Sequence, residues 1–142
     1  MPVLSDGGGG VCEEDAVLTI VQISAAVAAL VHCFIFVLES VRFADPAIYR
    51  RTFRVADTDL AAVRNWAFNQ GFYNLFLAVG AFAGVGLLRS RPSAGWALLL
   101  MSCGSMLAAA VVLVAKDRRF VRAAAVQGVF PALALLAALT QL

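Results

Sequence analysis

From Ala16 to Leu38 the chain runs 23 residues broken only by Thr19, Gln22, Ser24 and His32. About 20 apolar residues cross ~30 Å of hydrocarbon as a helix, so this stretch is long enough to span a membrane. Three more follow: from about Leu60 to Leu88, from Trp96 to Ala115 and from about Val121 to Leu139. Within hydrocarbon only helices and closed barrels satisfy every backbone polar group, and runs of this length suit helices. The predicted fold class is therefore all-α, an integral membrane four-helix bundle. Of the 142 residues, 62% are hydrophobic and only 14% charged, where soluble domains carry about 25% charged residues. The net charge of +2 is too small to imply a nucleic-acid partner. The lipid bilayer is the partner the composition does imply.

The expected domains are a flexible acidic tail over 1–15 and a four-transmembrane-helix domain over 16–142, with helices near 16–43, 60–88, 95–115 and 121–140. Gly7–Gly10 carries no packing side chains, and Glu13, Glu14 and Asp15 follow. An acidic start lacks the positive region of a signal peptide, so no cleavage is expected. Pro46 disfavours helix at Asp45 and sets the first helix end near Phe43. Between Ala44 and Asp59, Arg50, Arg51 and Arg54 alternate with Ile48, Tyr49, Phe53 and Val55, which suits a segment in the headgroup layer. Asp57 is expected to cap the second helix. Gly80 and Gly84 form a G-x-x-x-G pair that lets another helix approach closely, and small-residue faces of this kind make a homo-oligomer a candidate assembly.

Cys33 and Cys103 lie in apolar runs, where cysteine behaves as a small hydrophobe, and Cys12 lies in the tail. No C-x-x-C or Cys/His spacing supports a disulfide framework or a metal site.

Four spans place both termini on one side, and the charge distribution selects which. Nine of the Lys and Arg residues (Arg42, Arg50, Arg51, Arg54, Arg64, Lys116, Arg118, Arg119 and Arg122) lie on or beside the first and third inter-helix loops; only Arg89 and Arg91 lie opposite. The positive-inside rule then puts both termini outside the cytoplasm, for a multi-pass protein of the cell (inner) membrane.

Polar residues gather at one depth. Taking ~1.5 Å per residue, His32 lies roughly 7–8 Å below the cytoplasmic boundary, Asn69 and Gln70 roughly 5–6 Å, and Gln127 about 7–8 Å. Asn65, Asn69, Gln70, Tyr73 and Asn74 crowd the start of the second span, with i,i+4 pairs between Asn69 and Tyr73 and between Gln70 and Asn74. His32 and Glu39 share a face of the first helix. Pro131 cannot donate to the carbonyl of Gln127, which leaves that acceptor free. An amide in hydrocarbon is costly unless it is hydrogen-bonded, so His32, Asn69, Gln70 and Gln127 are expected to converge inside the bundle. The candidate ligand-binding residues are His32, Asn69, Gln70, Tyr73, Asn74 and Gln127.

Three segments carry a resemblance: H-C-F-I-F-V-L-E (His32–Glu39), A-F-N-Q-G-F-Y-N-L-F-L-A (Ala67–Ala78) and Q-G-V-F-P-A (Gln127–Ala132). With them the chain resembles the small bacterial four-span membrane proteins grouped as domain of unknown function 1304. The resemblance covers about Ala16 onward and implies a four-helix membrane protein of unassigned activity, with no catalytic residues to carry over.

Three functional classes follow. One reading of the polar layer is a site for a small lipophilic molecule or a proton near the cytoplasmic side. It also suits a membrane-embedded isomerase or hydrolase, with His32 as acid or base, Tyr73, Asn69 and Gln127 holding developing negative charge, and Glu39 as a further catalytic candidate. In the third class the amides only pin helices together in a structural helper subunit, each bond contributing about 0.6–2 kcal/mol. A cofactor is not specified by any motif; axial ligation of haem by His32 in an oligomer is one chemistry the residue allows.

Overall fold

Each apolar stretch satisfies its backbone internally by becoming a helix. In the computed structural model, which describes residues 8–141, α1 is Gly8–Phe36, α2 Leu60–Leu87, α3 Pro92–Lys116 and α4 Val121–Ala138, with no strand among the described residues. The helices run up and down, each packed against its two neighbours in a ring, while α1 and α3 face each other diagonally and barely touch. All four are long and apolar enough to cross a membrane, and no more than 33% of the apolar window of any one is buried inside the bundle. The remaining apolar surface, including Ile23, Leu30, Phe34, Phe76 and Val112, faces outward and needs lipid.

The inner faces are built from small residues. Ala25, Ala28 and Ala29 of α1, Ala67, Gly71, Ala78, Ala81 and Gly84 of α2, Gly95, Cys103 and Ala110 of α3, and Ala124, Gly128, Ala134 and Ala138 of α4 are buried. Spacings of three and four put each set on one helix face. Without a hydrophobic drive between helices in lipid, close backbone approach along such faces supplies the packing. The Gly80/Gly84 pair is spent inside the bundle: a Cβ at Gly80 would lie 2.5 Å from Ser102 Oγ, and one at Gly84 2.8 Å from Leu99 and 3.1 Å from the Gly95 carbonyl. Cys103 is buried, as its apolar setting implied.

Three helix ends differ from expectation. α3 begins at Pro92 rather than near 95, because the fixed φ of proline suits the first turn of a helix. Gly8–Asp15 of the expected tail is helical, and residues 1–7 of that tail lie outside the described residues. Arg89, just past the end of α2, anchors the end of that stretch. Its guanidinium donates to Asp15 Oδ1 (2.8 Å), Thr19 Oγ1 (3.1 Å) and Gln22 Oε1 (3.2 Å), three groups along one face of α1, and Gln22 donates to the Val85 carbonyl at 3.0 Å. At the other end, helix stops at Val41 rather than near Phe43. Its last turn, Val37–Val41, is π-helical, closed by Arg42 N–H donating to the Val37 carbonyl at 2.8 Å.

The α1–α2 connector is a folded cap. Tyr49, within a second π-helical turn (Ala47–Thr52), is buried with Phe43 and Ala67 under Phe53, Val55, Leu60 and Val63. Its hydroxyl donates to Asp57 Oδ1 at 2.8 Å, and Arg50 grips both oxygens of Asp57. Those bonds hold the Asp57 carboxyl below its usual range. They also take it away from the expected capping role: Asp59 occupies the N-cap position of α2 and makes no side-chain cap bond. A two-pronged guanidinium bond outcompetes a single backbone N–H for one carboxylate. Arg54, at a left-handed φ of 58°, lays its guanidinium over Phe120 at 5.6 Å. The connector is thereby tied to the α3–α4 turn (Arg118–Phe120), at the bundle end opposite the termini.

A Cβ at Gly95 would lie 2.6 Å from the backbone of Leu88, whereas one at Gly104 meets nothing within 4 Å. Gly95→Ala is expected to lower stability by about 1–3 kcal/mol, and Gly104→Ala to leave it unchanged or raise it by up to about 1 kcal/mol. Thermal unfolding of both variants in one detergent checks this; equal effects would contradict the close α2–α3 approach.

Candidate functional site

Glu39 sits on the π-helical turn that ends the first apolar span, half-buried against α2. Single π-turns recur at functional sites because they redirect side chains off the regular helix face. The next residue, Ser40, donates its hydroxyl to the Phe68 carbonyl at 2.8 Å, in space left by the missing side chain of Gly71. That contact seats the turn on α2. Asn74, buried on the small-residue face of α2, then donates from Nδ2 to Glu39 Oε2 at 2.8 Å and to the Gln70 carbonyl at 3.2 Å. Among the described residues no cation lies within ion-pair distance of Glu39. Arg42, three residues on, pairs instead with Asp45 at 2.7 Å. A half-buried carboxyl at the edge of an apolar span is costly unless it is hydrogen-bonded; here a single amide compensates it.

Glu39 opens on a cleft of about 580 Å³ between the connector and α2. Its walls are aromatic: Phe43 and Phe53, whose centroids are 5.3 Å apart, with Trp66 and Tyr73. Its polar groups are Glu39, Asn69 and Gln70, and it carries no Lys or Arg. A second cleft of about 460 Å³ lies against Ser40, Arg64, Asn65 and Phe68, with Glu39 and Phe43 between the two. The first has the volume of a small-molecule pocket, about 300–1,000 Å³.

The expected convergence of His32, Asn69, Gln70 and Gln127 does not occur. Equal depth did not mean equal direction. Asn69 is two residues, about 200°, from both Ala67 and Gly71 on the inward face, so it points away from the bundle; it and Gln70 are exposed. Gln127 is half-buried at the edge of the α4 inner face formed by Ala124, Gly128 and Pro131. His32 is 1% exposed, and its Nδ1 lies 2.9 Å from the Ala28 carbonyl of its own helix. A carbonyl only accepts, so Nδ1 donates in this bond. His32 lines neither cleft beside Glu39. The structure thus separates the expected residues into an enclosed His32, a remote Gln127, and a group on one cleft comprising Asn69, Gln70 and Tyr73, with Asn74 behind it holding Glu39.

The Glu39–Asn74 bond escaped the depth calculation, yet a signal for it exists. Ala67, Gly71, Asn74, Ala78 and Ala81 repeat at spacings of four and three, which places Asn74 alone of the α2 amides on the inward face. No cluster of three or more metal-ligating side chains occurs among the described residues.

A family model described as a protein of unknown function, DUF1304, matches residues 26–139. The chain belongs to this family. The match takes in Glu39, Asn74 and the whole cleft, and no curated protein and no solved structure matches the chain.

Removing the amide leaves the carboxyl without its donor. Asn74→Ala is expected to lower stability by about 1–3 kcal/mol, whereas Glu39→Gln keeps an acceptor oxygen for Asn74 and should cost less. Unfolding of the two variants in the same micelle checks the order; equal stability of Asn74→Ala and the parent would contradict the bond.

Proposed function

We propose that this DUF1304 protein binds a small molecule or a proton at Glu39, in the half of the membrane facing the cytoplasm. The observation that carries the reading is a half-buried carboxyl at the cytoplasmic end of an apolar span, with one amide partner and, among the described residues, no cation, opening on a cleft walled by rings. A carboxyl meant only to hold helices together would be enclosed and paired; this one is half-open. The enzymatic alternative loses its main support because His32, its acid or base, is packed away from the cleft. The helper-subunit alternative fits Asn74, while Asn69 and Gln70 are exposed and pin no helix pair of this chain.

The orientation belongs to the same proposal: both termini outside the cytoplasm of the inner membrane, with the connector inside. The nine-to-two distribution of basic residues supports it. Thr52 and Ser93 are exposed at opposite ends of the bundle. In a background lacking the exposed Cys12, an impermeant thiol reagent applied from outside should label Ser93→Cys and spare Thr52→Cys. The reverse pattern overturns the orientation.

Access to Glu39 is tested with dicyclohexylcarbodiimide, which dissolves in lipid and adds a protonated carboxyl across one C=N bond to give, after acyl migration, a stable N-acylurea. The reagent is expected to modify Glu39 in membranes, as read by peptide mass, and to leave Glu13 and Glu14 unmodified. An unmodified Glu39 in folded protein would contradict the site.

A further inference from the structure

Resting on the Glu39 site just described, we infer that the cleft takes an amphiphilic monocation, an organic ammonium or phosphonium with apolar substituents, in place of the proton on Glu39. The charges and rings that line the cleft select that chemistry. The carboxyl has no cation of its own among the described residues, so the charge it carries once its proton leaves is left for a ligand to match. The rings of Phe43, Phe53, Trp66 and Tyr73 share the cleft with it, and aromatic faces attract cations most strongly where water is scarce. No Lys or Arg lines the cleft, whereas the neighbouring one holds Arg64; anions are thus disfavoured where the rings are. Trp66, 78% exposed, and Tyr73, 56% exposed, stand at the outer edge of α2, so a ligand dissolved in the bilayer meets them before it meets Glu39.

The groups that surround Glu39 define how protons compete. Of the elements packed on it, the connector gives the cleft only Phe43, Phe53 and Val55; α2 gives Tyr73 to this cleft and Arg64 to the other; on its own helix Arg42 is taken by Asp45, and His32 lies two turns away. Glu39 is therefore the one carboxyl in the cleft. Binding of a cation to the protonated site releases that proton to solvent, and acidification weakens binding.

The probe is tetraphenylphosphonium, with tetraphenylborate as its anionic counterpart of the same shape, titrated into the protein in lipid nanodiscs against empty discs. Tetraphenylphosphonium is expected to bind saturably, to protect Glu39 from dicyclohexylcarbodiimide and to bind more weakly as the pH falls. Glu39→Gln should weaken it at least about tenfold, and Trp66→Ala about two- to thirtyfold, the span of a cation–π contact. Tetraphenylborate should not bind. If both ions bind alike, or Glu39→Gln binds the cation as the parent does, the cation inference falls while carbodiimide modification of Glu39 leaves the site itself standing. If Glu39 is not modified in folded protein, the site falls and the inference with it.

Discussion

A carboxyl near the end of a membrane-spanning helix has few ways to remain there. In hydrocarbon it must be paired, hydrogen-bonded or protonated, since leaving it bare costs more than a folded chain can offset. Here the compensation is one carboxamide, Asn74 to Glu39 at 2.8 Å. That bond depends on a chain of smaller facts: the π-helical turn that carries Glu39, the Ser40 hydroxyl seated on the Phe68 carbonyl, and Gly71, whose missing side chain lets Ser40 in. Each step follows from the α1–α2 approach, and that approach from the small residues along both helices.

The two ends of the bundle are held differently. At the end carrying the termini, Arg89 reaches across from α2 to three polar groups on α1, so its guanidinium is satisfied within the bundle. At the opposite end, the connector folds on Tyr49 and Asp57 and is tied through Arg54 to Phe120. This cap forms one wall of the cleft. The charged residues of the connector turn to its outer side while Phe43, Phe53 and Val55 turn inward, so a basic surface and an apolar pocket come from one short segment.

Fold class was legible because it rests on length and hydropathy alone: four runs long enough to cross hydrocarbon leave no other architecture. The G-x-x-x-G pair was equally legible as a close approach, although its partner proved to be α3 of the same chain. The site was legible only in part. The crowd of polar residues at the start of α2 did mark the right helix and the right end of it. Depth is a property of position along a helix, however, and convergence is a property of phase around it. Asn69 and Asn74 are five residues apart and point about 140° apart around the helix, so only the small-residue periodicity separates them. The π-turn and the path of the connector carried no sequence signal, because both are set by tertiary contacts of Ser40 and Tyr49.

The claim on which the account turns is that Glu39 is matched by an amide and by no cation. Solid-state NMR of uniformly labelled protein in lipid bilayers reads this directly, through correlations between side-chain nitrogens and the Glu39 carboxyl carbon. The account predicts a strong correlation to Asn74 Nδ2 and none to any arginine guanidinium. A correlation from Arg42 or Arg64 to that carboxyl, with Asn74 absent, would contradict it.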